Sequence, residues 1–220
     1  MKVNLLPDLL KNLYLSLIDP VINFFIKRRL NPNHFTTLGL ILSIPSAYFF
    51  GVGYPRIAGV IMLISGTFDI IDGKVARATN RTTKFGALYD STLDRYSEVM
   101  IFFGLAYFFI VEWSKTGSNL ALITATAVSV AIGGSVMTSY VRARAEGLGL
   151  ECKVGIMQRS ERVVFIAFGA IFHQVTLIIA IILVAIFSNI TAIQRLYYIW
   201  LMEKDKKQNP IQSQNNKLET

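Results

Sequence analysis

Four aspartates stand at the ends of two strongly apolar segments, where an ionised carboxylate is costly unless something binds it. Asp69 and Asp72 are three residues apart, and Asp90 and Asp94 are four apart. On helices each pair projects from one face, and two antiparallel helices can bring the pairs together. Divalent cations relieve the repulsion among converging carboxylates, and hard oxygen ligands suit Mg²⁺ or Mn²⁺ rather than zinc. The pattern therefore predicts a metal site formed by all four aspartates.

The aspartates belong to a longer motif with fixed spacing. The run from Asp69 to Asp94 reads D-x2-D-G-x2-A-R-x8-G-x3-D-x3-D, with all eight positions filled. Scattered ion pairs at a membrane edge would not require eight fixed positions that include two glycines. The motif resembles the signature of the CDP-alcohol phosphotransferases, which transfer a substituted phosphoryl group from a CDP-linked donor to an alcohol and release CMP. The resemblance implies a membrane transferase that uses CDP-diacylglycerol.

Charge explains how such a site would work. Two metal ions on Asp69, Asp72 and Asp90 would neutralise the pyrophosphate of the donor and the departing CMP. The acceptor hydroxyl must lose its proton to a base as it attacks. The resemblance assigns the role of this base to Asp94, which is also predicted to be a metal ligand. We expect a single displacement, because the motif contains no spare activated nucleophile.

Six residues are predicted to contact the CDP moiety of the donor: Asn33, Thr36, Gly73, Arg77, Thr83 and Gly86. The two glycines leave space for a nucleotide against the backbone, and Arg77 can donate two hydrogen bonds to phosphate oxygens. Asn33 and Thr36 lie in LNPNHFTTLG, which resembles the P-N-x-x-T element of the family. Tight helix packing by the glycines and helix capping by Asn33 and Thr36 are the alternative interpretations.

Three arginines near predicted helix ends suggest the acceptor. The segments SYVRARAEGLGL, GIMQRSER and AIQRL resemble those of bacterial phosphatidylinositol phosphate synthases, and the resemblance implies a pocket for the acceptor's phosphate at Arg142, Arg159 and Arg195. Gathering three arginines is costly unless a dianion lies among them, which also favours a phosphorylated polyol. Inositol phosphate is the leading acceptor, although the synthases usually have lysine where this chain has Arg142. Glycerol 3-phosphate is the rival acceptor, and positive-inside anchoring is the alternative role for the arginines.

Composition predicts an all-α integral membrane protein. The chain has 220 residues with 53% hydrophobic content, and its mean hydropathy is positive. Six stretches are candidate spans: Phe35–Val52, Ile57–Asp72, Phe85–Val111, Leu120–Val141, Val163–Phe172 and Val175–Tyr198. The fifth has a short apolar part, so we expect its helix to begin near Gly155 with Arg159, Glu161 and Arg162 in a cytosolic extension. Arg144, Lys153 and Arg162 are expected at the membrane interface.

The distribution of cations predicts the orientation. With six spans, every Lys and Arg except Arg56 and Lys115 lies on the side of the two termini or within the adjoining helix ends. The net charge of +8 then reflects topology and anionic lipid, and nothing supports nucleic-acid binding. We therefore expect an inner (plasma) membrane protein whose termini and aspartate motif face the cytosol. The resemblance implies a homodimer.

The chain divides into three predicted parts. Residues 1–30 form an interfacial amphipathic helix, since Leu10, Leu13, Leu17, Val21 and Phe24 recur at helical spacing. Residues 31–203 form the six-helix membrane domain, and residues 204–220 form a flexible cytosolic tail. A small cation transporter is the alternative from another class. Transport predicts charge near the membrane midplane, whereas these aspartates lie toward helix ends.

Overall fold

The computed structural model describes residues 8–208, and the side chains of residues 12–204. Seven helices and no β-sheet form this part of the chain, which confirms the all-helical class. The helices are α1 (Asp8–Lys27), α2 (Pro32–Gly51), α3 (Pro55–Ala78), α4 (Lys84–Thr116), α5 (Asn119–Gly147), α6 (Arg159–Phe172) and α7 (Gln174–Gln208). The predicted tail overlaps the end of α7, and residues 1–7 and 209–220 lie outside the described range.

The helices begin and end at residues with a local physical reason. Pro32 and Pro55 stand at the first positions of α2 and α3, where a missing N–H costs nothing. The Thr83 side chain caps α4 by accepting from the Gly86 amide. Gly117 ends α4 with a φ of 67°, a left-handed conformation that glycine adopts without strain.

Three helices are long and apolar enough to cross a membrane: α4, α5 and the Gln174–Lys204 part of α7. Each of the six predicted spans lies within one helix, except that Val52 follows the last residue of α2, but the count of six spans stays a prediction. The fifth differs from expectation, because α6 begins at Arg159 rather than near Gly155 and has only 14 residues. Its helix starts where the Gln158 amide can donate to the Glu161 carboxylate at 2.5 Å.

Close packing joins the helices into one bundle. α2 packs on α3 and α4, α5 packs on α4 and α7, and α6 packs on α3 and α7. Small residues permit this approach. A Cβ added at Gly59 would lie 2.8 Å from the Ala167 carbonyl oxygen, and one at Gly104 would overlap the backbone of Ala47. Phe50, Phe102, Leu105, Phe109, Ile166 and Ile181 fill the core between the helices.

Helix α1 lies against α3 near the aspartate motif. Ile22 packs into a cluster with Phe35, Ile71 and Val75, and Lys74 Nζ lies 2.7 Å from Asp19 Oδ1. The opposite face of α1 exposes large apolar side chains, namely Leu13, Leu17, Val21 and Phe24. The described part of α1 is therefore attached to the bundle by one face and exposes apolar side chains on another, and its amphipathic, interfacial character stays a prediction.

Candidate active site

Three of the four predicted metal ligands converge. Asp69 and Asp72 lie toward the end of α3 and Asp90 lies near the start of α4, and one carboxylate oxygen of each lies within 4.8 Å of the others. Thr36 Oγ1 donates to Asp72 Oδ2 at 2.7 Å. Asp90 Oδ1 is buried without a hydrogen-bond partner among the described residues. A buried, unpaired carboxylate oxygen beside two other carboxylates fits a hard divalent cation.

Asp94 lies beside this trio and is connected to it through Arg159. Arg159 Nη1 is 2.8 Å from Asp94 Oδ2 and 2.7 Å from Asp69 Oδ2. Arg95 adds a longer contact of 3.8 Å to Asp94. Because Arg159 is the first residue of α6, the start of that helix carries a positive charge directly against the acidic cluster.

Two of the three converging aspartates, together with Asp94 and Arg159, line one narrow cleft. Four helices supply its walls, with Thr36 on α2, Asp69 and Asp72 on α3, Asp94 and Ser97 on α4, and Arg159 on α6. The bundle therefore brings acidic, basic and hydroxyl groups from distant parts of the sequence into a single polar cavity. Such a cavity presents carboxylates to cations and a guanidinium to an anion.

Four of the six residues predicted to contact the donor lie near the starts of α2 and α4: Asn33, Thr36, Thr83 and Gly86. Asn31 rather than Asn33 or Thr36 caps α2, accepting from the Asn33 amide at 3.1 Å. The capping alternative is therefore wrong for Thr36, whose hydroxyl is turned to Asp72. Thr83 is itself a cap, and its hydroxyl accepts from Gly86. The starts of two helices thus lie next to each other at this end of the bundle.

The two motif glycines are not helix-packing contacts. A Cβ at Gly73 would first meet the guanidinium of Arg77 at 3.4 Å. One at Gly86 would first meet the Thr83 hydroxyl at 2.9 Å and then Asn33 Oδ1 at 3.6 Å. In each case the neighbours are polar side chains rather than the backbone of another helix. The packing interpretation fits other glycines, such as Gly104, and not these two.

The three arginines of the predicted acceptor pocket have different surroundings. Arg159 lies in the aspartate cluster, and Arg142 is half exposed and paired with Glu146 at 2.8 Å. Arg195 is buried, with Nε donating to the Val154 carbonyl at 2.8 Å and Nη1 to the Thr138 carbonyl at 2.6 Å. The positive charges of Arg142 and Arg195 are close enough to repel each other. Arg195 thus fixes two backbone carbonyls in place, in addition to carrying a positive charge.

The segment between α5 and α6 is non-helical and lies beside α7. The Met157 amide donates to Thr191 Oγ1 at 3.0 Å, and Arg195 donates to Val154 as described. Non-helical backbone beside a membrane-spanning helix must find its hydrogen bonds within the protein. Side chains of α7 supply them here. Cys152 is buried in this segment, where no partner thiol exists in the chain.

Arg162 was expected at the membrane interface, and this expectation is wrong. Its side chain is 1% exposed and binds Glu98 of α4 with two hydrogen bonds, Nε to Oε1 at 2.6 Å and Nη2 to Oε2 at 3.0 Å. The sequence contained no local sign of the pair, because the partners are 64 residues apart. The position of Glu98, one helical turn after Asp94, was the sequence feature that could have suggested a role near the site.

Fold and site together define a class of helical membrane proteins whose acidic cleft fits divalent cations. The chain belongs to the CDP-alcohol phosphatidyltransferase family, whose sequence model matches residues 29–201. It is therefore a transferase, as the motif predicted.

Named relatives refine this placement. An archaetidylinositol phosphate synthase of Pyrococcus horikoshii is 38% identical over 169 residues, which are 76% of this chain and 82% of the relative. Phosphatidylinositol phosphate synthase of Mycobacterium tuberculosis, solved with CDP-DAG bound, superimposes with a TM-score of 0.71 at 30% identity and covers 82% of this chain and 92% of its own. The same enzyme in complex with manganese and citrate also has a TM-score of 0.71 at 30% identity, with coverages of 82% and 88%.

Proposed function

We propose that this chain transfers a phosphatidyl group from CDP-diacylglycerol to the hydroxyl of inositol phosphate, giving phosphatidylinositol phosphate and CMP. The observation that carries the proposal is the convergence of three carboxylates beside the Asp94–Arg159 ion pair. This arrangement combines a cation site for a pyrophosphate, a carboxylate for a hydroxyl proton and an arginine for a second anion. Both relatives described above, archaeal and mycobacterial, are named as synthases of an inositol phosphate lipid.

We propose that Asp69, Asp72 and Asp90 hold two Mg²⁺ or Mn²⁺ ions, with Asp94 at the edge of the cluster. The unpaired Oδ1 of Asp90 supports this assignment, as do the three hard oxygen ligands. When bound, such cations neutralise negative charge on the pyrophosphate and on the departing CMP. Manganese in the mycobacterial relative is consistent with the same donor set.

The proposed reaction is one displacement. The acceptor hydroxyl oxygen attacks the phosphorus next to the diacylglycerol, a new P–O bond forms, and the bond from that phosphorus to the CMP oxygen breaks. The hydroxyl proton passes to the Asp94 carboxylate. Asp94 suits this role because its carboxylate lies beside the converging trio and its ion pair with Arg159 orients it.

For the donor we propose contacts from Asn33, Thr36, Gly73, Arg77, Thr83 and Gly86. Supporting this, Asn33 near the start of α2 and Thr83 at the start of α4 both lie within reach of the open side of Gly86. Helix N-termini attract phosphate through their free amides and their dipole. Arg77, close to Gly73, would add a guanidinium to the same anion.

For the acceptor we propose that Arg159, Arg142 and Arg195 bind the phosphate. Arg159 lies close to Asp94, so a phosphate on it would bring a nearby hydroxyl of the same molecule to the base. Arg142 is accessible and Arg195 adds buried positive charge. Glycerol 3-phosphate is the competing acceptor, because its phosphate and hydroxyls could use the same groups.

We further propose six spans, with both termini and the aspartate cleft on the cytosolic side of the inner membrane, and assembly as a homodimer. Arg56 and Lys115, the two cations expected on the opposite side, lie at the start of α3 and the end of α4, away from the aspartates. The exposed apolar face of α1 supports an interfacial position for that helix.

The test is CMP release by purified protein. CDP-diacylglycerol with Mg²⁺ or Mn²⁺ is offered inositol phosphate, glycerol 3-phosphate, free inositol and serine in separate reactions, and CDP-archaeol replaces the donor in a parallel series. We expect inositol phosphate to support the fastest release. Faster release with glycerol 3-phosphate would replace the acceptor assignment, and release with free inositol alone would remove the role given to the arginines.

A further inference from the structure

The Glu98–Arg162 ion pair is unusual because it is almost completely shielded from water. Arg162 is 1% exposed and Glu98 is 8% exposed, and two hydrogen bonds join them. Burying two charges is expensive, and a well-packed apolar pair is often as stable. A bidentate arginine–carboxylate contact does, however, fix the relative orientation of two elements. The pair therefore calls for an explanation other than stability alone.

Both partners lie one helical turn from a residue of the cleft. Glu98 follows Asp94 by four residues on α4, and Arg162 follows Arg159 by three residues on α6. Asp94 and Arg159 are themselves paired at 2.8 Å. Two successive ion pairs therefore link the same faces of α4 and α6. Since α6 packs its backbone mainly on α3 and α7, these side chains set its position relative to α4.

The same arginine also fixes the point at which α6 begins. Arg162 Nη1 donates to the Met157 carbonyl at 3.4 Å, and the Met157 amide donates to Thr191 of α7. Arg159 is the first residue of α6, so a shift of this start would move its guanidinium directly. Arg159 Nε has no hydrogen-bond partner among the described residues, and Nη1 lies within 2.8 Å of an oxygen of both Asp69 and Asp94.

We propose that Glu98 and Arg162 are positioning residues, which hold Arg159 against Asp69 and Asp94 without touching substrate. This inference rests on the proposed function for its kinetic test. A narrow cavity lies along the pair and shares Ser65, Ser97 and Arg159 with the polar cleft. Loss of the pair would leave room for Arg159 to move, and a displacement of about 1 Å can cost on the order of a hundredfold in rate.

The experiment is a double-mutant cycle with Glu98→Gln, Arg159→Gln and the double variant, assayed by CMP release per mole of folded protein. We expect Glu98→Gln to lower kcat/KM for inositol phosphate by about tenfold to a hundredfold, with the KM for CDP-diacylglycerol close to that of the wild type. If Glu98 acts through Arg159, adding Glu98→Gln to Arg159→Gln should change kcat/KM by less than about twofold. Multiplying effects would overturn the proposal.

Two further variants separate positioning from folding. Glu98→Asp keeps the charge and should retain normal abundance with an intermediate kcat/KM, so it replaces Glu98→Gln if that variant does not fold. Glu112→Gln removes a carboxylate from another interhelical contact of α4, where Gln174 Nε2 donates at 2.7 and 2.8 Å, and should behave like the wild type. Equal loss in Glu112→Gln and Glu98→Gln would indicate general destabilisation and refute positioning.

Failure of the proposed function gives a different result. Wild-type protein would then release no CMP with any acceptor, and the positioning role would be tested by solving the structure of Glu98→Gln. We expect Arg159 to lose its contact with Asp69, Asp94 or both in that structure. Unchanged contacts of Arg159 would overturn the positioning role.

Discussion

Asp90 has the least satisfied carboxylate of the acidic cluster, since its Oδ1 is buried without a partner among the described residues. We predict that Asp90→Asn leaves a folded protein whose turnover collapses. The amide keeps the shape but removes the charge that binds a cation. Metal affinity should fall at least as far as the roughly 10–100-fold seen when outer-shell partners are lost. Turnover is measured as CMP release against Mg²⁺ concentration. Metal affinity is measured as Mn²⁺ binding, followed by electron paramagnetic resonance.

The matched control for Asp90→Asn is Asp19→Asn. Asp19 is half exposed and pairs with Lys74, beside the motif but on α1. The Asp19→Asn variant should lose less than about 1 kcal/mol of folding stability and little activity, because exposed ion pairs contribute little to stability. Wild-type turnover of Asp90→Asn at limiting Mg²⁺ would contradict the metal assignment.

Asp94 is expected to differ from the other aspartates because it lies beside the trio and faces Arg159. We predict that Asp94→Asn lowers kcat by about 10²–10⁴-fold, the usual contribution of a general base. The KM for CDP-diacylglycerol should stay near the wild-type value. Initial-rate kinetics in both substrates separate the two effects. A donor KM that rises as steeply as kcat falls would make Asp94 chiefly a ligand.

Individual residues differ in how well their positions could be predicted. Asp69 and Asp72 share one helix, so their spacing alone placed both on one face. Glu98 and Arg162 could not be paired from the sequence, because each also fits an ordinary helical position and the fold decides their contact. Arg195 was recognised as important, yet its partners are backbone carbonyls 41 and 57 residues away, which no side-chain pattern encodes.

Among the elements, α2 and α4 approach each other closely at Gly104. A Cβ at Gly104 would overlap the backbone of Ala47, which cannot give way as a flexible side chain can. We predict that Gly104→Val destabilises the protein by about 1–3 kcal/mol and lowers its abundance in the membrane. Thermal unfolding in detergent measures the change.

Gly133 offers the matched control for Gly104→Val. It lies within α5, and a Cβ there would meet nothing within 4 Å. Gly133→Ala should be neutral or stabilising by up to about 1 kcal/mol, because alanine favours helix. A similar loss of stability in both variants would show that glycine flexibility, rather than close packing, is what the bundle requires.

The start of α6 shows why one boundary was misjudged. Hydropathy gave a short apolar stretch from Val163, and the polar residues before it were assigned to an extension starting near Gly155. The residues Gln158 and Glu161 form the local signal that was overlooked, since their contact fixes the first turn. The hydrogen bonds that keep residues 151–158 out of a helix come from α7 and depend on tertiary structure.

For the whole molecule, the proposed six spans make a labelling prediction. Single cysteines at Tyr54, Lys115 and His173 should react with an impermeant maleimide in intact spheroplasts, which leave the outer side of the membrane accessible. Cysteines at Thr82 and Leu148 should react only after the membrane is opened. One helix separates each position from the next along the chain. Six spans therefore place successive positions on alternating sides of the membrane.

The native Cys152 is buried and provides the background for this labelling series. If the cysteines at positions 82 and 115 are labelled from the same side, α4 does not cross the membrane. Labelling of His173 from the cytosolic side would leave α4 and α5 as spans but remove α6 from the count.

The shortness of α6 affects where the two substrates can meet. Fourteen residues of helix extend about 21 Å, whereas the hydrocarbon layer is about 30 Å thick. In the proposed six-span topology α6 meets α7 at the outer surface, so the other end of α6, at Arg159, would lie well inside the depth that lipid tails otherwise occupy. In the proposed topology, a thinner bilayer or a water-filled funnel between the helices would connect this depth to the cytosol. The proposed water-soluble acceptor would then descend to the lipid's phosphate, and the lipid donor would react without leaving its own leaflet.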